Sequence, residues 1–284
     1  MRSVSPFFSV LIAVHNRHDF LVRALMSVIN QVEHDYEVVL VDDGSTDGTF
    51  DVAERFFKTN NIDARTLRLP KNVGIPRARN ACLSMASGAI AAFLDSDDIW
   101  HPRHLSLLRP AFSQSKQPVF VFTDYFSEGP SFSGPVRHFR KPPTELDPIV
   151  RMITEPFVHT MSCFAAPMSA IRSVGGFTER LSRFSDLDLY VRLLAGPDDA
   201  GTLAWREQPI VNIPQISVLK TIHLFDRDID DYQCAWEKGK RDFLDQIFAY
   251  PCLRDRSALR QQCEAALLAG QKRLFANFPR AASS

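Results

Sequence analysis

The sequence predicts an α/β fold on a parallel sheet, and three observations carry that prediction. From Phe8 to Thr123, short runs rich in Val, Ile, Leu and Phe alternate with longer stretches of helical spacing, the pattern of consecutive β-α-β units. Each run ends in a polar loop, and in open α/β sheets such carboxyl-end loops form the ligand site. The chain has 284 residues, enough for one large core with an appendage, because single cores stop growing at about 250 to 300 residues.

The elements follow in order. Strands are read at Phe8 to Val14, Glu37 to Val41, Ala64 to Leu69, Ile90 to Leu94 and Val119 to Thr123. Between the first two, Phe20, Leu21, Ala24, Leu25, Val28 and Ile29 recur at helical spacing; Phe50, Val52, Ala53 and Phe56 do so after the second, and Pro76 suits the first turn of a third helix. The polar ends read His15-Asn16-Arg17, Asp42-Asp43-Gly44-Ser45 and Asp95-Ser96-Asp97-Asp98. Ser127 to Pro148, with several Pro and Gly residues, reads as a loop. Met168 to Val174 suits a short helix stopped by Gly175-Gly176, Asp186 to Leu194 another, and Thr202 to Lys220 one or two strands. From about Asp230 to Phe275 the pattern is helical, with Leu259, Cys263, Ala266 and Leu267 on one face.

Composition narrows the function. With 33 basic and 33 acidic residues the chain has no formal net charge, so nothing long-range draws it to nucleic acid, and an anionic ligand must be bound locally. The 5 cysteines have neither an even count nor metal-ligand spacing, which fits a reducing compartment, with Cys82 and Cys163 as buried, unreactive thiols. The apolar stretch at Phe7 to Val14 is too short for a signal peptide, and no run of about 18 apolar residues occurs. The expectation is a cytoplasmic protein without a transmembrane segment, in contact with the inner face of a membrane only peripherally.

The strongest chemical signal is Asp95-Ser96-Asp97-Asp98 directly after an apolar strand. Mg²⁺ and Mn²⁺ take oxygen ligands, commonly one or two carboxylates completed by substrate phosphates and water. The same residues also suit an acidic turn capping a helix that begins near Pro102. In Val41-Asp42-Asp43-Gly44-Ser45-Thr46-Asp47 a strand-end carboxylate is placed to accept from a nucleobase imide or a ribose hydroxyl, while Ser45 to Thr49 reads as an Asp/Gly turn into a capped helix. Neither a Gly-x-Gly-x-x-Gly nor a Gly-x-x-x-x-Gly-Lys-Ser/Thr run occurs, which weighs against a dinucleotide oxidoreductase and a P-loop NTPase.

From about Ser9 to Leu194 the chain resembles the GT-A-fold glycosyltransferases of family two, inverting enzymes that use nucleotide-sugar donors. The resemblance is carried by ordered pieces: Ser9 to Arg17, Val41 to Asp47, Asn72-Val73-Gly74-Ile75-Pro76-Arg77-Ala78-Arg79-Asn80, Asp95 to Asp98, Gly175-Gly176-Phe177 and Asp186-Leu187-Asp188-Leu189-Tyr190-Val191-Arg192. It implies a mixed sheet flanked by helices over residues 1–225 and a C-terminal helical extension over 226–284. It implies nucleotide contacts at His15, which stands where the family often has an aromatic, at Asn16, at the base-reading Asp43, and at Asn72, Gly74 and Arg79, in the segment that closes over the nucleotide. Asp95 and Ser96 complete that set, with Asp95 on the ribose. Asp97 would bind a divalent metal, Mn²⁺ or Mg²⁺, bridging the diphosphate, and His223 is the candidate for a further metal or phosphate ligand.

The family's Glu-Asp pair, whose carboxylate is the general base, falls here on Ser185 and Asp186, so Asp186 is the expected base. Asp188 is its weaker rival, because a spacing of two on a helix points side chains in different directions. The implied partners are a nucleotide-sugar donor and a glycan, lipid-linked or other hydroxyl acceptor. Ser185 also admits a catalytically silent sugar-nucleotide-binding protein of the same fold. A nucleotidyltransferase would carry a Gly-rich basic loop after the first strand, where this chain has His15-Asn16-Arg17-His18.

Overall fold

The computed structural model describes residues 5–114, 118–128, 134–136, 158, 160–196, 210–221, 229–251 and 253–276. Its strands are β1 (Phe8–Val14), β2 (Tyr36–Asp42), β3 (Ala64–Arg68), β4 (Ile90–Phe93), β5 (Ile99–Trp100), β6 (Phe120–Glu128), β7 (Gly134–Val136), β8 (Phe164–Pro167) and β9 (Ile210–Thr221). The helices are α1 (His18–Ile29), α2 (Thr49–Thr59), α3 (Ile75–Met85), α4 (His104–Phe112), α5 (Met168–Ser173), α6 (Ser185–Ala195), α7 (Ile229–Ile247) and α8 (Ser257–Ala276).

The strands form one sheet in the order β3-β2-β1-β4-β8-β6-β9-β5, with β7 added to β6. The β3-β2-β1-β4 half is parallel, as the β-α-β pattern predicts. Beyond β4 the sheet is mixed, as the resemblance implies: β8 enters antiparallel between β4 and β6, and β5 pairs antiparallel with β9.

Alternation along each strand builds a core on both faces. Phe8, Val10, Ile12, Val38, Leu40, Ile90 and Ala92 join α1, α2 and α4 through Leu21, Leu25, Phe56, Leu105 and Leu108. Leu11, Ala13, Val39, Val41, Ala91 and Phe93 face the other way, onto Ala78 and Cys82 of α3 and Leu189, Tyr190 and Leu193 of α6. A period of two with both faces buried explains why the runs are largely apolar. Phe243, Leu244 and Ile247 of α7 and Leu259, Cys263 and Leu267 of α8 belong to this second core. The single helical stretch read from about 230 to 275 is two helices, and Pro251 lies between them, where it can continue neither.

Edge strand β3 carries Arg65 and Arg68, which reach Glu37 at 3.4 Å and Asp42 at 3.5 Å. On the interior, burial pushes the Cys82 thiol up to about 12 and raises Cys163 as well, so both are inert, as read from the sequence.

Candidate functional site

The carboxyl ends of β1, β2 and β4 meet on one side of the sheet, and glycines let their loops approach. Gly44 has φ +67°, and a Cβ there would lie 2.6 Å from the Asn72 amide nitrogen and collide with the Lys71 backbone. Only glycine permits both the left-handed turn and this close approach. The loop so admitted is gripped by Asp43, whose Oδ1 accepts from the Val73 amide at 2.7 Å and Oδ2 from the Gly74 amide at 2.9 Å. Asp43 is buried, and so the expected base-reading carboxylate is first of all the anchor of the Asn72–Gly74 loop. Asn72 itself is exposed.

Asn16, at φ +49°, ties the β1 loop to the β2 loop. Its amide donates to Ser45 Oγ at 2.9 Å, and its Oδ1 accepts from the Thr46 amide at 2.9 Å. Asp42, fully buried, accepts from the Ser45 amide and hydroxyl. Asp47 accepts from the amide and hydroxyl of Thr49 as α2 begins, in line with the turn read there. His15 is half-buried, its Nε2 3.3 Å from Asn16 Nδ2, and its Nδ1 has no hydrogen-bond partner among the described residues.

The acidic turn after β4 does not cap a helix: β5 and three further residues separate it from α4. Arg79 donates to Asp95 Oδ1 at 2.8 Å, and Thr160 donates to Asp95 Oδ2 at 3.1 Å. Arg17 donates to Asp97 Oδ2 at 3.3 Å, with the Asp97 side chain 20% exposed. Ser96 is buried. Asp98 accepts from the hydroxyls of Thr160 at 3.0 Å and Ser162 at 2.6 Å and from the Thr221 amide at 3.1 Å. Burial first, then the neighbouring Asp95 and Asp97 charges, push the Asp98 carboxyl up to about 7, against the pull of Lys220.

Among the described residues no group of three or more His, Cys, Asp or Glu side chains could cage a metal, and His223 lies outside the described residues. The carboxylate oxygens of Asp95 and Asp97 nonetheless suit a hard cation that takes its other ligands from phosphate and water. The residues thus fit an open Mg²⁺ or Mn²⁺ site and do not fit a closed one.

In its first turn, α6 carries Asp186. Its carboxylate is part-exposed and, among the described residues, accepts from the adjacent Leu187 amide at 2.9 Å. One turn further along α6, the buried Tyr190 hydroxyl donates to Met161 Sδ at 3.0 Å, and Met161 lies between Thr160 and Ser162, whose hydroxyls hold Asp95 and Asp98; burial, and then the Asp186 charge, raise the Tyr190 pKa. Asp188 is fully buried and committed elsewhere, to Arg192 at 2.7 Å, Thr178 at 2.6 Å and Tyr250 at 2.8 Å. Of the two carboxylates, Asp186 alone faces solvent, as the helical spacing predicts.

Several residues assigned no role from the sequence complete the site. Thr160 and Ser162 stand at the entry to β8 and carry no motif, so nothing local announces them. Arg17 and Asn80 lie inside motif segments: Asn80 pairs with both backbone groups of Phe177, donating at 2.9 Å and accepting at 2.8 Å, and Arg79 lies over the Phe177 ring at 5.4 Å. Most of the Ser127 to Pro148 loop lies outside the described residues.

Comparison with known proteins agrees with this arrangement. Chondroitin synthase of Pasteurella multocida is 29% identical over 188 residues, which is 66% of this chain and 19% of that protein. The chain therefore spans about a fifth of that relative's length. Staphylococcus aureus TarS, solved as residues 1–349 with UDP-GlcNAc, superposes with a TM-score of 0.65 at 20% identity over 94% of this chain and 73% of that one. The mannosyltransferase PcManGT of Pyrobaculum calidifontis, solved with GDP-Man and Mn²⁺, gives a TM-score of 0.63 at 17% identity over 98% and 77% of the two chains. These likenesses establish the GT-A-like fold. The family described as "Glycosyl transferase family 2" matches residues 9–173, from β1 through the acidic turn to the end of α5, and with strand-end carboxylates, gripped loop and acidic turn all inside that span, the chain belongs to this family of glycosyltransferases.

Proposed function

We infer that this chain transfers a glycosyl group from a nucleotide-diphosphate-sugar donor to an acceptor hydroxyl with inversion, Asp186 acting as general base. The observation that carries the reading is the packing of α6 on the support of the acidic turn, Tyr190 bonding Met161 between Thr160 and Ser162, with the part-exposed Asp186 one turn before Tyr190. UDP-GlcNAc in TarS and GDP-Man with Mn²⁺ in PcManGT support the donor class and the metal.

The nucleotide would lie over the loops of β1 and β2, with His15 against the base, Asn16 and Asp43 holding the loops that line it, and Asn72 and Gly74 closing from the side. Asp95 and Ser96 would meet the ribose and phosphates, and Arg79 supplies a cation steadied by the Phe177 ring. A divalent ion at Asp97, assisted by His223, would neutralise the departing diphosphate as a Lewis acid. Asp186 accepts the proton of the acceptor hydroxyl as that oxygen attacks the anomeric carbon from the face opposite the diphosphate. No enzyme nucleophile is needed, and the anomeric configuration inverts. The acceptor is a glycan, lipid-linked or other hydroxyl compound, and the zero net charge gives no long-range attraction to nucleic acid. No helix among the described residues is long and apolar enough to cross a membrane, so a lipid-linked acceptor would be met by peripheral contact.

The test is turnover of UDP-N-acetylglucosamine and GDP-mannose by wild type and Asp186→Asn, with nucleotide affinity measured calorimetrically in Mn²⁺ and in EDTA. Asp186→Asn should bind nucleotide normally and lose about 10² to 10⁴ in rate. A silent binding protein would bind nucleotide and turn over neither donor. Equal affinity with and without metal would remove Asp97 from the proposed metal role.

A further inference from the structure

The geometry points to Phe184 as a positioning residue for the reaction, and to helix α7 as the element that holds it, so that the C-terminal extension sets where Asp186 stands. This inference rests on the reading of Asp186 as general base.

Three non-glycine residues among those described have positive φ: Asn16, Asn61 and Phe184. Asparagine enters the left-handed region readily because its short amide can bond locally, whereas a bulky side chain there is strained and persists only when its surroundings impose it. Phe184, at φ 59° and ψ 18°, is the cap from which α6 starts. Its carbonyl accepts from the Asp188 amide at 2.9 Å, and the next two residues are Ser185 and Asp186. The direction in which Asp186 leaves the chain is therefore fixed by a single unfavourable backbone setting.

What imposes that setting lies on α7. The Phe184 ring meets Trp236 edge-on at 5.2 Å and Phe243 at 5.7 Å. Gly239, one turn from each, brings the helix close, since a Cβ there would lie 2.8 Å from Arg183 Cβ. Two polar links join the segments around these helices: Arg180, ahead of α6, donates to Gln246 of α7 at 2.7 Å, and Tyr250, just past α7, donates to Asp188 of α6 at 2.8 Å. The rings stabilise the left-handed Phe184 only while α7 is docked, and so the extension is a part of the catalytic apparatus although it carries none of the family's motif residues.

Packing alone would make the same contacts without bearing on Asp186, and substitutions separate the two accounts because they rank side chains in opposite order. If the backbone setting matters, Phe184→Asn and Phe184→Gly, which tolerate it, keep donor turnover within about threefold, and Phe184→Val, whose branched side chain resists it, loses about tenfold or more in kcat at unchanged donor KM. If packing alone matters, valine is the best of the three.

Turnover of UDP-N-acetylglucosamine and GDP-mannose is read together with hydrogen exchange at the Leu187 and Asp188 amides, which needs no activity. Exchange there should quicken about tenfold in Phe184→Val and little in Phe184→Asn. A cycle of Trp236→Ala and Phe184→Gly adds a second measure: the Trp236→Ala loss in kcat should shrink when glycine already occupies 184. Valine exceeding asparagine in both readouts, or strictly additive losses in the cycle, would overturn the inference. Unchanged turnover in an Asp186→Asn control would instead sink the general-base reading, and the exchange ranking would still decide whether α7 positions the start of α6.

Discussion

Acid should destabilise this protein through His104, and the size of the effect follows from its surroundings. The imidazole is fully buried, stacked on Trp100 at 4.3 Å with its Nδ1 2.8 Å from Ser217 Oγ, and its Nε2 has no partner among the described residues. Burial first, and the His101 charge second, push its pKa from 6.5 down to about 3. The folded state thus refuses a proton that the unfolded chain accepts. Stability from this group is complete above about pH 6.5 and drains as pH falls toward about 3, at about 1.4 kcal/mol per pH unit. Between pH 6.5 and 5.0 the loss is about 2 kcal/mol.

The Asp98 carboxyl, raised to about 7, works in the opposite sense: its contribution is whole below about pH 4 and is lost as pH rises through 7. The two therefore offset each other in the raw curve. His104→Phe isolates the imidazole, keeping a ring on Trp100 at the cost of the Ser217 bond, about 1 kcal/mol at neutral pH. Urea unfolding of both proteins from pH 7.5 to 5.0 is the assay. The wild-type-minus-variant difference should move by about 2 kcal/mol against wild type across that range. Parallel curves would refute the claim that His104 stays neutral in the fold.

Other expectations follow from single contacts. Gly44→Ala should lower the melting temperature and weaken UDP binding measured by calorimetry, since its Cβ cannot coexist with the Lys71–Asn72 backbone; normal UDP affinity would show that the loop can move aside. Asp188→Asn breaks a buried ion pair with Arg192 and should cost about 3 kcal/mol or more in thermal unfolding while leaving turnover per folded molecule nearly intact. Asp43→Ala frees the Val73 and Gly74 amides and should weaken UDP binding by about tenfold or more with little change in the turnover of bound donor. A fall in turnover at constant affinity would instead give Asp43 a direct catalytic part.

Local signals made the first half of the molecule readable. The apolar run Phe8 to Val14 is strand β1 residue for residue, Pro76 does sit in the first turn of α3, and Gly175-Gly176 does stop α5 with both φ values positive. Those features depend on sequence neighbours alone. The order of strands beyond β4 depends on which distant segment wins an edge, and a four-residue strand such as β8 carries no mark that it will insert between β4 and β6. The site divides the same way. Asp43, Asp97 and Asp186 stand in motif segments, whereas Arg17 meets Asp97 across 80 residues of chain and Thr160 meets Asp95 across 65, and no periodicity foretells either pairing. Phe184 was silent for a different reason: a left-handed phenylalanine contradicts its own propensity and is imposed by α7.

The two ends of the main sheet have a consequence for how this chain behaves in company. A sheet edge offers unpaired amides and carbonyls to any passing strand, the template from which aggregates grow. At one end β3 meets that hazard with Arg65 and Arg68, whose guanidiniums are held at the border by Glu37 and Asp42. At the other, β5 is only two residues long and covers just Val218 and Leu219 of β9. The β3 margin is thus guarded by charge. Arg65, which bonds the Met85 carbonyl and pairs with Glu37 at the opposite end of β3 from the site, is the residue whose replacement by valine would be felt first in a concentrated solution, as turbidity.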